Sequence, residues 1–159
     1  SAEDGWNNMT LAGAGTSGTS IINTAFERAS GAMPPVACSN GSEISGGAIL
    51  LFNTEKAAIA IKNSRFENCM AKNNGGAICC QNSNPEIDSC HFTNCSVIAE
   101  HSSGGAICCY RSNPKITDCV FIECSSGSGN FGMGGGGAIN CNEANPEIYN
   151  ATFEKCRSY

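Results

Sequence analysis

Apolar residues along this chain fall in short runs, broken by Gly-Gly, by Asn-Pro and by Ser/Asn-rich stretches. No window of eleven or more residues carries an apolar stripe at helical spacing, so the pattern predicts short strands and no helix. Three runs recur in order. Ala77–Cys80 is the first, Glu86–Cys90 the second, and the third surrounds Phe92. Asn84-Pro85 separates the first two, and proline marks a corner because it fixes its own dihedral and lacks a donor. Gly75-Gly76 marks another corner, where a positive φ costs glycine little.

These runs belong to a repeat. The stretch Gly75–Cys95, GGAICCQNSNPEIDSCHFTNC, returns as Gly104–Cys124 and, less completely, as Gly136–Cys156. An earlier version begins at Gly46 and is three residues longer, so GGAI starts at 46, 75, 104 and 136, in steps of 29, 29 and 32 residues. Length varies only in the polar tails and in the insertion at Asn53–Ala57. Fixed strands, variable loops and a constant period predict one coil of a parallel β-helix per repeat. An antiparallel sandwich requires no such period.

In a parallel solenoid equivalent positions stack about 4.8 Å apart. Ile49, Ile78, Ile107 and Ile139 should form one internal ladder. Ile61, Ile87, Ile116 and Ile148 should form a second, and Phe66, Phe92, Phe121 and Phe153 a third. Asn84, Asn113 and Asn145 should form an asparagine ladder, with amides bonded along the corner. The whole chain reads as one all-β domain of about five coils. Residues 1–45 are a degenerate first coil and loop, and 46–74, 75–103, 104–135 and 136–159 are successive coils. In the first coil Ile21–Phe26 matches Ile116–Phe121, Ala29 stands where Cys124 stands, and Leu11 sits near the GGAI isoleucine position. The chain stops at Tyr159 part-way round a turn, so unpaired strand edges are expected there, to be covered by another copy or by more of a longer protein.

Composition narrows the function classes. The 159 residues carry a net charge of −5 with 14% charged residues and no basic run, which argues against nucleic-acid binding. No apolar stretch is long enough for a membrane span. Twelve cysteines point to an oxidising, extracellular compartment.

Four repeat positions carry cysteine: Cys79 and Cys108; Cys80, Cys109 and Cys141; Cys90 and Cys119; and Cys69, Cys95, Cys124 and Cys156. Positions that gain and lose cysteine together read as partners. That gives Cys79–Cys90, Cys108–Cys119, Cys80–Cys95, Cys109–Cys124 and Cys141–Cys156 within turns, and leaves Cys38–Cys69. Each within-turn loop holds 12 or 16 residues, worth about 3 kcal/mol in the chain-entropy model. Three alternatives stay open: bridges between stacked equivalents, whose parallel Cβ vectors strain the bond; a ladder of free thiols; and metal. No Cys-x2–4-Cys knuckle supports a zinc site.

The pairing of GGAI with F-x-x-C resembles the GGA(I/L/V) and F-x-x-N repeats of the polymorphic outer membrane protein family. Gly46–Ile49, Gly75–Ile78, Gly104–Ile107 and Gly136–Ile139 carry the first motif, and Phe66, Phe92, Phe121 and Phe153 the second. The resemblance implies a right-handed parallel β-helix displayed on a cell surface and engaged in adhesion. This chain departs from the family in placing Cys where the family has Asn after the Phe.

Chemistry is sparse. Carboxylates such as Asp88 and Asp118 do not align from copy to copy, Lys115 falls between Glu86 and Glu147, and Glu67 and Glu154 flank copies holding Thr93 and Ile122. His91 and His101 have no nucleophile at a matching position. Threonines are too scattered for an ice-binding face. No catalytic, cofactor or metal residues are assigned, and the chain reads as a non-enzyme. Asn8, Asn40, Asn94 and Asn150 head N-glycosylation sequons. The expectation is a secreted, disulfide-stapled structural subunit that stacks head-to-tail. The alternative is an adhesive or carbohydrate-binding module that meets glycans or cell surfaces.

Overall fold

A computed structural model describes residues 9–13, 18–31, 36–37, 43–44, 46–99, 103–127 and 135–159. It is an all-β parallel solenoid, with no helix among the described residues. Four parallel sheets of five strands each form its walls. The first contains Met9–Ala12, Ile49–Phe52, Ile78–Gln81, Ile107–Tyr110 and Ile139–Asn142. The second contains Ser20–Ile22, Ala60–Lys62, Glu86–Asp88, Lys115–Thr117 and Glu147–Tyr149. The third contains Ala25–Glu27, Arg65–Glu67, His91–Thr93, Val120–Ile122 and Thr152–Glu154. The fourth contains Ser30–Gly31, Met70–Ala71, Ser96–Val97, Ser125–Ser126 and Arg157–Ser158. Val36–Ala37 and Glu43–Ile44 form a separate antiparallel pair.

The ladders form in the expected register. Ile78 pairs with Ile49 and Ile107, and Ile107 with Ile139. Ile87 pairs with Ile61 and Ile116, and Ile116 with Ile148. The phenylalanine rings lie face to face at 4.8–4.9 Å from Phe26 through Phe66, Phe92 and Phe121 to Phe153. Offset or edge-on pairs are usually preferred for isolated rings; here the strand spacing sets the ring spacing.

Several expectations are corrected. A turn has four short strands rather than three, because the tail after F-x-x-C adds a strand of only two residues, too short to show an alternating pattern. The five rows are not five equivalent coils: about three turns are enclosed on both sides, with an end row before and after them. The row-one equivalent of the GGAI isoleucine is Met9, paired with Ile49, while Leu11 pairs with Leu51. The Ile21 and Phe26 alignment holds, through Ile61 and Phe66. The asparagine corner does form, but each side-chain oxygen accepts from backbone in the next turn. The Asn113 N–H donates to Asn84 Oδ1 and the Asn145 N–H to Asn113 Oδ1, both at 2.7 Å.

The second glycine of each Gly-Gly is required by packing more than by dihedral. A Cβ on Gly47 would strike the Gly76 carbonyl oxygen, one on Gly76 that of Gly105, and one on Gly105 that of Gly137. The first glycine, at Gly75 and Gly104, takes φ of 59° and 72°.

Candidate functional site

The remaining corners follow a rule the sequence reading missed. Among the described residues fourteen non-glycine residues have positive φ, and they recur where one strand turns into the next. Asn53, Asn82 and Arg111 end strands of the first sheet, Asn63, Ser89 and Asp118 end strands of the second, and Asn68, Asn94 and Glu123 end strands of the third. After these nine the next residue is a buried Ser, Thr or Cys, able to donate to the carbonyl two positions back. Ser64 Oγ donates to the Lys62 carbonyl at 2.8 Å, Ser83 Oγ to Gln81 at 2.9 Å and Ser112 Oγ to Tyr110 at 2.9 Å. Cysteine thiols make the same bond less tightly, from Cys90 to Asp88 at 3.3 Å and from Cys119 to Thr117 at 3.2 Å. Each of these thiols also faces a carbonyl of the preceding turn, Ile61 for Cys90 at 3.5 Å and Ile87 for Cys119 at 3.7 Å. Cys69, Cys95, Cys124 and Cys156 repeat the arrangement at the next corner, against the Phe26, Phe66, Phe92 and Phe121 carbonyls. Cysteine is therefore a corner residue here, interchangeable with Ser64 and Ala151 in its row.

The five other described cysteines lie on strands of the first sheet. Cys80, Cys109 and Cys141 stack with Leu51. Cys79 and Cys108 stack between Leu50 and Asn140, and belong with Leu50 and Phe52 to a small outer cluster separate from the main core. None of the eleven described cysteines is bridged in this structure, and Cys38 lies outside the described residues. Cys79 and Cys90, like Cys108 and Cys119, are not bridged and lie in different clusters. One member packs outside the wall and the other within the main core. Cys80, Cys95, Cys109 and Cys124 all sit within the core as unbridged thiols.

Stacked thiols influence one another's ionisation. Contact with Cys108, then burial, holds Cys79 well above the ordinary thiol value. Contact with Cys124 and Cys69, reinforced by burial, does the same to Cys95. Contact with Cys90, with burial, raises Cys119, while the same contact pulls Cys90 down as its acceptor.

Of the sequon asparagines, Asn94 and Asn150 are exposed at positive-φ corners, with φ of 51° and 50°. Asn94 Nδ2 donates to Asn68 Oδ1 at 2.7 Å, and Asn150 Nδ2 donates to Asp118 Oδ1. Asn8 and Asn40 lie outside the described residues. The exposed charges form local pairs, Lys62 with Glu86 at 2.8 Å and Arg111 with Glu143 at 2.7 Å. His91 is exposed, and His101 lies outside the described residues. Among the described residues no group of three or more His, Cys, Asp or Glu is arranged to hold a metal ion. No helix among them is long and apolar enough to cross a membrane.

Two surface features stand apart from this regular wall. A shallow cleft of about 230 Å³ is lined by Asn94, Glu123, Ser125, Lys155, Arg157 and Tyr159. The final row is open, with Ile148 40% and Phe153 49% exposed, where Ile116 and Phe121 one turn earlier are fully buried. At the other end Ile21 and Phe26 are closed over, at 7% and 2%. No family model, curated protein or solved structure matches the chain. The fold class that these walls define is the parallel β-solenoid.

Proposed function

We propose that this chain is an extracellular structural module whose rigid solenoid associates end to end through its open final row. The observation that carries the proposal is the exposure of Ile148 and Phe153, positions that are core everywhere else along their ladders. An open row offers both apolar side chains and the unpaired backbone groups of a sheet edge, the combination that templates strand addition. Head-to-tail stacking into a filament sets that row against the closed first row, so Phe26 must be uncovered for such growth. Two final rows meeting face to face need no such change. The extracellular assignment rests on the cysteine content and the sequons.

Negative-stain electron microscopy over a concentration series tests the association. Rods longer than one subunit, lost in a Phe153→Lys variant that still melts cooperatively, support it. Isolated particles at every concentration overturn it.

The cleft favours a second reading, a carbohydrate-binding module. Amide, carboxylate, hydroxyl and cationic groups converge there beside the Tyr159 ring, a mixture suited to sugar hydroxyls. Glycan-array binding that disappears in an Arg157→Ala, Tyr159→Ala double variant would favour this reading over the structural one.

A further inference from the structure

We infer that two cysteine pairs of this protein, Cys90–Cys119 and Cys79–Cys108, are oxidised along the solenoid axis, turn to turn. The inference does not depend on end-to-end association. It starts from register. Cys79 and Cys108 are direct partners in the first sheet, flanked in their column by Leu50 and Asn140. Cys90 and Cys119 occupy the same corner in successive turns, with Ser64 in the turn before and Ala151 in the turn after. The backbone ties the second pair together, because the Val120 N–H donates to the Cys90 carbonyl at 2.9 Å. Each of these columns thus holds two cysteines and no competing thiol.

Geometry separates the axial scheme from pairing within turns. Adjacent strands bring equivalent Cα atoms to about 4.8 Å, inside the 4.4–6.8 Å range that a disulfide spans. The phenylalanine rings beside these corners show that spacing, 4.8 Å between Phe92 and Phe121. Pairing within turns would join Cys79, outside the wall, to Cys90, inside it. The axial scheme also accounts for the way cysteines come and go in the sequence. Cysteine appears at both positions in two successive turns and is lost from both in the turns on either side, as vertical pairing requires. Parallel Cβ vectors leave such bridges strained and more easily reduced than relaxed ones.

The reaction needs an oxidant of the small-molecule disulfide class. The Cys90 thiolate, its proton released to water, attacks that disulfide, forms a mixed disulfide and expels one thiolate. The Cys119 thiolate then attacks the Cys90 sulfur and expels the second. Two protein thiols are oxidised and one external disulfide is reduced to two thiols. Because Cys90 and Cys119 are fully buried once the turns have closed, the exchange belongs to folding, before the next turn covers the corner.

The test is refolding of the full reduced chain in a mixture of reduced and oxidised glutathione, followed by alkylation in denaturant and mass spectrometry without reduction. Cleavage after Glu86, Phe92, Tyr110 and Phe121 isolates Cys90 and Cys119 on separate peptides that contain no other cysteine. The expected product is those two peptides joined. In a Cys119→Ser variant Cys90 changes from protected to fully alkylated while Cys108 stays protected. In Cys90→Ser the newly alkylated residue is Cys119. Ser64 already occupies this corner one turn earlier, so either serine has a native precedent, and one folded variant suffices. Release of Cys108 by Cys119→Ser, or of Cys79 by Cys90→Ser, would overturn the inference in favour of pairing within turns. Full alkylation of Cys90 and Cys119 in the refolded parent would overturn it in favour of free thiols.

Discussion

Single residues in this molecule are constrained mainly by what stacks on them. Gly76 has no room for a side chain, since an added Cβ meets the Gly105 carbonyl and the Ser96 backbone. Gly76→Ala is expected to cost about 3 kcal/mol or more, read as a lowered urea midpoint, because backbone must move on both sides. Phe92 and Phe153 share one ladder but not one environment. Phe92→Ala should cost about 3–5 kcal/mol, as for other buried aromatics, while Phe153→Ala, at a half-exposed position, should cost under about 1 kcal/mol in the same assay. Glu123 holds φ at 54° with a side chain poorly suited to it. Glu123→Asn should stabilise the fold by about 0.5–1 kcal/mol, since asparagine tolerates that conformation and the exposed Lys155 partner lost is worth little. Cys79 carries a pH signature. Its folded pKa is raised above the ordinary thiol value of 9.0 by contact with Cys108 and by burial. The stability it contributes is therefore fully present below 9.0 and is lost as pH rises from there towards the folded value. Chemical denaturation of the reduced protein at pH 8 and pH 10 should show this loss, and Cys79→Leu, the residue its row neighbour Leu50 supplies, should reduce it, leaving the part due to the other raised thiols such as Cys95.

At the scale of the strand and the corner, legibility followed periodicity. The isoleucine and phenylalanine ladders were readable because each position repeats one residue type at a fixed distance from Gly-Gly. The positive-φ corners were not, because Asn, Ser, Asp, Arg and Glu all fill them. Their signal lies in the following residue, a buried Ser, Thr, Cys or Ala, which is informative only once its carbonyl partner is known. The fourth strand was hidden for another reason: Ser96–Val97 and Ser125–Ser126 are too short to register as strands. The surroundings of each cysteine were hidden because adjacent residues on a strand face opposite sides. Cys79 and Cys80 share a sequence motif but not a core. The asparagine corner was readable in position but not in bonding, and removing one rung should matter modestly. Asn113→Ala deletes the acceptor for the Asn145 N–H at an exposed site, for an expected loss of about 0.5–1 kcal/mol in thermal denaturation.

Two of the ladders are polarised along the axis. Interior turns bury them completely, Ile21 and Phe26 in the first row are closed over, and Ile148 and Phe153 in the last row are not, while Met9 in the first row is 38% exposed. Phe153 and Phe121 carry the same motif and differ only in having a neighbour, so this exposure follows from the unpaired edge expected after the last repeat. Thiol reactivity should follow the same gradient. In the reduced native protein Cys141, which is exposed in the last row, should be alkylated first, and Cys109 and Cys80, one and two rows further in along the same wall, only on unfolding. Uniform labelling of the column would show that the wall is not closed. The central claim, that the open final row is the surface through which copies meet, is tested most directly by amide hydrogen exchange measured by mass spectrometry at low and high protein concentration. The account predicts that peptides spanning Glu147–Glu154 gain protection as concentration rises, while the interior rows of Glu86–Thr93 and Lys115–Ile122 stay unchanged. Equal exchange of the final row at both concentrations would contradict it.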